Sequence, residues 1–219
     1  PGETLGNVHY GINYLANPDS FKLGLAAISD ASESTSATDD EDAVVKMYTE
    51  FGAPVVGADD KIVAAITDAI QPQIKMDEDG EVTEIIYKGT KRELGPDYGM
   101  VAYGSAIAEW DAQSAAFSAY TVGKTADEVR GIETTENDHG YSVAADETLL
   151  ASCTIQITDF KDAVVKACGD VNTMSFTSDG TFTLGLAAKT SAAVFADLGP
   201  APDTESLPAA QTYTALAER

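Results

Sequence analysis

Lys61-Ile62-Val63-Ala64-Ala65-Ile66-Thr67-Asp68-Ala69-Ile70-Gln71-Pro72-Gln73-Ile74-Lys75-Met76, then Asp77-Glu78-Asp79-Gly80, then Glu81-Val82-Thr83-Glu84-Ile85-Ile86-Tyr87, is the stretch that decides the fold of this 219-residue chain. Apolar runs flank an Asp-Gly pair, and Gly80 supplies the positive φ that tight hairpin turns demand. A calcium loop is the sharper reading of the acidic turn, but it fails on spacing. With Gly80 in the sixth place of an EF-hand frame, the first and last ligand positions fall on Lys75 and Ile86. Residues 61–76 are therefore expected to form a strand that continues, after the turn, into a strand at 82–87. On the other side, Gly57-Ala58-Asp59-Asp60 reads as a turn leading back to a strand over 43–56.

Outward from this meander, Phe21-Lys22-Leu23-Gly24-Leu25-Ala26-Ala27-Ile28 alternates in the manner of a strand. The Ser/Thr/Asp-rich residues 29–42 read as a loop, and residues 1–20 as an arm that orders only by docking on something else. Beyond the meander, Ile107, Trp110, Ala115 and Phe117 mark an amphipathic helix over about 105–120, stopped by Gly123. Thr125-Ala126-Asp127-Glu128 fits a capping box opening a short helix that ends at Gly131. Residues 133–146, with His139, read as an exposed polar loop and 149–157 as a strand. Phe160, Ala163, Val164, Ala167 and Cys168 then share one face of a helix over 159–168, terminated near Gly169. Residues 171–176 and 181–189 are expected to form a hairpin, with a last strand near 210–216.

Phe182-Thr183-Leu184-Gly185-Leu186-Ala187-Ala188 restates Phe21-Lys22-Leu23-Gly24-Leu25-Ala26-Ala27 with a single change, and Tyr213-Thr214 restates Tyr48-Thr49. A partial second copy of the first unit is the expectation. The organisation that follows is an arm (1–20), an α+β domain (21–170) and a partial second repeat (171–219). The fold class is α+β: an antiparallel, twisted sheet with the two main helices packed on one face.

Thirteen basic residues against 36 acidic ones give a formal charge of -23 and a pI near 4.1. A field of that sign repels nucleic acid and anionic membrane surfaces, so neither is expected as a partner. No run approaches the roughly 20 apolar residues that span a bilayer as a helix. The chain opens at Pro1 and is read as a processed or trimmed product, so a removed signal segment or lipid anchor is compatible with it. Cys153 and Cys168 lack metal-type spacing and are expected to be reduced and at least partly buried. His9 and His139 have no ligand cluster around them in sequence, and no nucleophile with a base is legible. Lys88, Lys91 and Arg92 form the clearest local concentration of positive charge. It reads as a solvated strand edge, with a phosphate- or carboxylate-holding patch as the alternative.

Three segments carry a resemblance: Glu93-Leu94-Gly95-Pro96-Asp97-Tyr98-Gly99-Met100; Trp110 with Gln113 and Phe117 ahead of Val122-Gly123-Lys124; and Ala151-Ser152-Cys153-Thr154-Ile155-Gln156-Ile157 before the second helix. Their order resembles that of the extracytoplasmic FMN-binding domains of ion-pumping redox complexes, and of a group of exported bacterial proteins, often predicted lipoproteins, that repeat the pattern. The resemblance covers roughly residues 43–168. It implies an extracytoplasmic or cell-envelope location, a small-molecule ligand with FMN as the candidate cofactor, and Thr154 as the position that carries flavin through a phosphoester in that family. Ser152 would line the same motif, and Tyr98 and Trp110 would stack on the ring. Ala151, Ser152 and Cys153 depart from the family's Ser-Gly-Ala. An envelope-anchored structural or interaction module that has lost the ligand is the other reading.

Overall fold

The computed structural model describes residues 20–169, 172–178, 182–192 and 209–218. The arm expected over 1–20 lies, except for Ser20, outside them. In chain order the elements are β1 (Ser20–Gly24), β2 (Ala26–Asp30), β3 (Ala43–Lys46), β4 (Tyr48–Val56), β5 (Ile62–Ile70), β6 (Gln73–Met76) and β7 (Val82–Ile86). Next come α1 (Lys91–Leu94), a 3-10 turn (Gly95–Tyr98), α2 (Met100–Gly104), α3 (Trp110–Thr121) and α4 (Ala126–Arg130). The remainder is β8 (Thr134–Glu136), β9 (Ser142–Ala144), α5 (Glu147–Leu150), α6 (Thr158–Ala167), β10 (Thr173–Thr177), β11 (Thr183–Ala192) and β12 (Ala209–Glu218). The fold is α+β, with antiparallel sheets throughout.

The central sheet runs β10-β1-β4-β5, with β2 on the same edge of β4 as β1. β1 and β2 are one strand interrupted at Leu25: Leu23 faces Val55 and Ala26 faces Gly52, so the register carries straight across the gap. The gap lies opposite Ala53 and Pro54, and proline has no N–H to give to a ladder. Leu25 instead donates its N–H to Asn172 O at 3.1 Å.

One face of this sheet is covered by helices, where Trp110, Phe117, Leu149, Cys153, Ile157, Phe160 and Val164 form the larger core. On the other face Phe21, Leu23, Val55, Ala64 and Ile66 pack with Phe182 and Leu184 of the β11 segment. The alternation of β4 and β5 thus feeds two cores, one per face. α6 lies so close to the sheet that a Cβ on Gly52 would sit 3.0 Å from Ala163 C and Val164 N, and one on Gly24 would fall inside the carbonyl of Ala167. Lys166 Nζ fastens the helix end by donating to Ala27 O at 2.9 Å.

Several sequence expectations are corrected. The strands expected over 43–56 and 61–76 each break in two, because Pro72 interrupts the second and Met47 turns to donate its N–H to Pro72 O. β3, β6 and β7 then form a separate three-stranded sheet. The acidic turn closes as expected: Asp77 Oδ1 accepts from Asp79 N and Glu81 N, and Gly80 has φ +82. The helix expected from residue 105 begins at Trp110, since Ser105 takes a left-handed φ of 54 and ends α2. The loop expected over 133–146 contains a hairpin, β8 with β9. Asn137 holds its turn by accepting from His139 N and Tyr141 N at 3.0 Å each.

The strand expected over 149–157 is instead the end of α5 followed by a loop. Asp146 caps that helix, accepting from Thr148 N and Leu149 N. Leu149, Cys153 and Ile157 are buried, but Ala151 between them is exposed and Ile155 only partly buried, so the alternation of a half-buried strand is broken. The hairpin expected between 171–176 and 181–189 is not formed: β10 pairs with β1, and β11 with β12. Both heptapeptides are strands that pair with a later strand carrying Tyr-Thr. Their registers differ, Ala27 facing Phe51 and Ala188 facing Tyr213.

The glycine contacts give the first prediction. Gly52→Ala is expected to destabilise the protein by about 1–3 kcal/mol through overpacking, and Gly24→Ala by more, because a backbone carbonyl cannot yield as a side chain can. Gly185→Ala, whose Cβ would meet nothing within 4 Å, should stay within about 1 kcal/mol of the parent. Urea unfolding of the three variants measures the order.

Candidate ligand-binding cleft

Tyr48 and Glu50 stand two residues apart on β4 and so project from one face, the face on which Gly52 meets α6. Glu50 is fully buried. The Tyr48 hydroxyl donates to its Oε2 at 2.7 Å, while Oε1 has no hydrogen-bond partner among the described residues.

Lys91 reaches the same place from α1. That helix opens with a capping box in which Glu93 N donates to Thr90 Oγ1 at 3.1 Å and Thr90 N donates to Glu93 Oε2 at 2.9 Å. The box fixes the first turn and directs Lys91 inward, where it is 7% exposed. Its Nζ lies 4.6 Å from the Tyr48 ring centroid, 4.8 Å from Tyr98 and 5.4 Å from Trp110, within the range of cation–π attraction. Arg92, also 7% exposed, donates through Nη1 to Thr67 O at 3.0 Å and Ser114 Oγ at 2.9 Å, tying β5 to α3. Lys91 and Arg92 are therefore not the solvated strand edge expected from the sequence. The capping box turns that segment into a helix and carries both cations under it.

Thr154 lies on the loop between α5 and α6. Its N–H and its hydroxyl both donate to Gln113 Oε1, at 2.8 and 3.2 Å, and Gln113 Nε2 donates in turn to Ala108 O at 2.8 Å. Buried Gln113 on α3 thus sets the position of the loop. Cys153, next to it, points into the core, where burial pushes its thiol up to about 11; burial does the same to Cys168. Both cysteines are free.

These groups line one cleft of about 710 Å³, a volume typical of small-molecule sites. Tyr48, Tyr98, Trp110, Tyr141 and Phe160 form its aromatic wall, and Glu50, Lys91, Thr154 and Asp159 supply polar atoms. Of the residues singled out in the sequence, Tyr98, Trp110 and Thr154 are brought together here. Ser152 is not among the lining residues; its hydroxyl donates to Leu149 O at 3.3 Å. His139 borders the cleft from the β8–β9 turn. Tyr48, Glu50 and Asp159 were missed, and Lys91 was named only within a charged patch whose alternative reading was holding a phosphate or carboxylate. Two signals pointed to them: a glutamate inside the apolar run of β4, and the Thr90-x-x-Glu93 box ahead of Lys91.

The cleft's electrostatics follow from burial. Burial holds the Glu50 carboxyl well above the ordinary carboxylate range, against the Tyr48 hydrogen bond and the Lys91 charge, with Asp68 and Asp159 adding to the rise. Asp159, in the first turn of α6, is raised by burial and by Asp162 and Asp30, and lowered by Lys91. Asp68, on β5 below α1, is raised by burial to about 6, although Thr90, Arg92 and Ala69 hydrogen bonds oppose it.

Comparison with protein-family models, with curated proteins and with solved structures finds no match to this chain.

A folded carboxyl with a raised value keeps its proton where the unfolded chain has lost it, so stability falls as pH rises between the two values. The protein is expected to lose stability from about pH 4 upward. The Asp68 share is complete once the pH has passed about 6. Glu50→Gln preserves the Tyr48 hydrogen bond and should flatten the slope, leaving the shares of Asp68 and Asp159. Chemical denaturation of both proteins across pH 4–8 checks this, and an unchanged slope would mean that Glu50 ionises in the native state.

Proposed function

We propose that this chain is a small-ligand-binding module of the flavin-binding type, acting outside the cytoplasm, and that its site is the aromatic cleft. The observation that carries the reading is the convergence of Tyr98, Trp110 and Thr154, which arrive from three separate segments, on one cavity large enough for a planar ring system. The order of those segments, which resembles that of extracytoplasmic FMN-binding domains, supports the flavin class. The acidic surface and the resemblance to exported repeat proteins support the location.

In this reading the ring is held without a covalent bond. Phosphoester formation at Thr154 requires its hydroxyl proton to leave, and the group that accepts the hydrogen bond is the amide oxygen of Gln113, which is not a base at neutral pH. The amino end of α6, where a phosphate would be drawn by unpaired N–H groups, already has Asp159 in its first turn. The ring rather than the phosphate is therefore the recognised part. The same two observations favour, as a second reading, an envelope-anchored module that has lost its ligand.

Trp110 is the single tryptophan and lines the cleft, so its fluorescence reports occupancy directly. Riboflavin is expected to quench it with an affinity at least equal to that of FMN. Intact-mass analysis of protein exported from a host with flavin-transferring machinery is expected to give the unmodified mass, identical in form for the parent and for Thr154→Val. Absence of quenching by either flavin together with an unmodified mass would leave the ligand-free module as the function. A flavin mass increment lost in Thr154→Val would instead establish covalent attachment.

A further inference from the structure

The cleft contains two polar groups whose hydrogen-bonding capacity the fold does not use. Glu50 Oε1 is buried with no partner among the described residues, although its other oxygen is served by Tyr48. The Lys91 ammonium has three donors, and its neighbours are three ring faces; it has no hydrogen-bond acceptor among the described residues. Tyr48 joins the two, giving its hydroxyl to Glu50 and its ring face to Lys91. A buried polar atom left unsatisfied is costly, so a bound molecule that gives Glu50 Oε1 a partner recovers that cost as affinity, and one that also accepts from Lys91 adds a charge-assisted hydrogen bond.

Resting on the reading of the cleft as a ligand site, we propose that Lys91 and Glu50 together recognise an oxygen edge, a carboxylate or a pair of carbonyl oxygens, lying in the plane of an aromatic ligand. The ring would lie among Tyr98, Trp110 and Tyr141, and the oxygens would face the cation and the acid. Which partner Glu50 prefers follows from its proton. Burial favours the neutral acid, and because Oε2 accepts from Tyr48 the acidic hydrogen resides on Oε1. Both unused groups are then donors, and donors are completed by acceptors. A cationic amine has nothing to offer either group, and Lys91 repels it. The carboxylates at the rim, Asp30, Glu33 and Asp159, and the rim cation Lys46, which is 3.9 Å from Glu33, leave the approach unfavourable to dianions. The preferred ligand therefore carries at most one negative charge.

The test compares two probes with the same ring and opposite polar ends, 2-naphthoate and 2-naphthylmethylammonium, by isothermal titration calorimetry on the whole chain. Naphthoate is expected to bind at least tenfold more tightly. Lys91→Met, which keeps the stem among the rings and removes the charge, should abolish that preference, and Lys91→Arg should restore most of it. Glu50→Leu should weaken naphthoate at least threefold; stronger naphthoate binding in that variant would mean that Glu50 is an anion and would overturn the assignment. Equal affinities, or preference for the ammonium, in the parent protein would overturn the oxygen-edge inference while leaving the cleft as a ligand site. Failure of both naphthyl probes and of riboflavin to bind would remove the site itself. The parent comparison alone decides between these outcomes even if a variant does not fold.

Discussion

The approach of α6 to the central sheet is the constraint on which the rest of the molecule depends. Two positions in the sheet, Gly24 and Gly52, have no side chain, and the backbone of α6 from Ala163 to Ala167 occupies the space that one would fill. With the helix this low, Phe160 reaches Trp110 and Phe117, at ring-centroid distances of 5.5 and 5.2 Å, and α3 is fixed against the same face. Asp159 is then set at the cleft beside Glu50 and Lys91. A helix one side chain higher would separate the aromatic wall from the polar floor.

The second constraint is electrostatic. The chain carries a large excess of acid, yet two of its thirteen basic side chains are buried under α1 with Glu50 and Asp68 nearby. Taking charges out of water is costly, and the cost is contained only where partners are arranged around them. Asp68 accepts two backbone N–H groups, from Ala69 and Arg92. Arg92 bonds Thr67 O and Ser114, and Lys91 uses ring faces. Glu50 Oε1 has no hydrogen-bond partner among the described residues, and Glu50 lines the cavity together with Lys91.

Much of the fold was legible in the sequence because alternation, turns and caps act locally. The Asp77–Gly80 turn, the Thr125 capping box and the apolar face of α6 all form as their residues dictate. The misreadings have a common cause, a local pattern overruled by something distant. Residues 149–157 carry Thr and Ile and pass for a strand, but the Asp146 cap makes their start a helix end, and a loop follows in which only Cys153 and Ile157 are buried. The break at Pro72 was visible as a residue, but not the separation of the meander into two sheets. At the site, Tyr98, Trp110 and Thr154 were legible as candidates from motif order. The polar floor was only signalled, by a glutamate in an apolar run and a capping box ahead of Lys91, because neither shows that Glu50 lacks a partner or that Lys91 turns inward.

The pairing of β1 with β10 has a consequence for how the molecule is made. β1 is the first described strand, and its outer partner is not synthesised until after α6, so the edge of the central sheet closes across almost the whole described chain. Contacts of such long sequence separation slow folding, and until they form β1 presents an unpaired ladder able to recruit other chains. The nascent protein is therefore most exposed to misassociation late in synthesis, when its meander and helices are complete and one edge is still open.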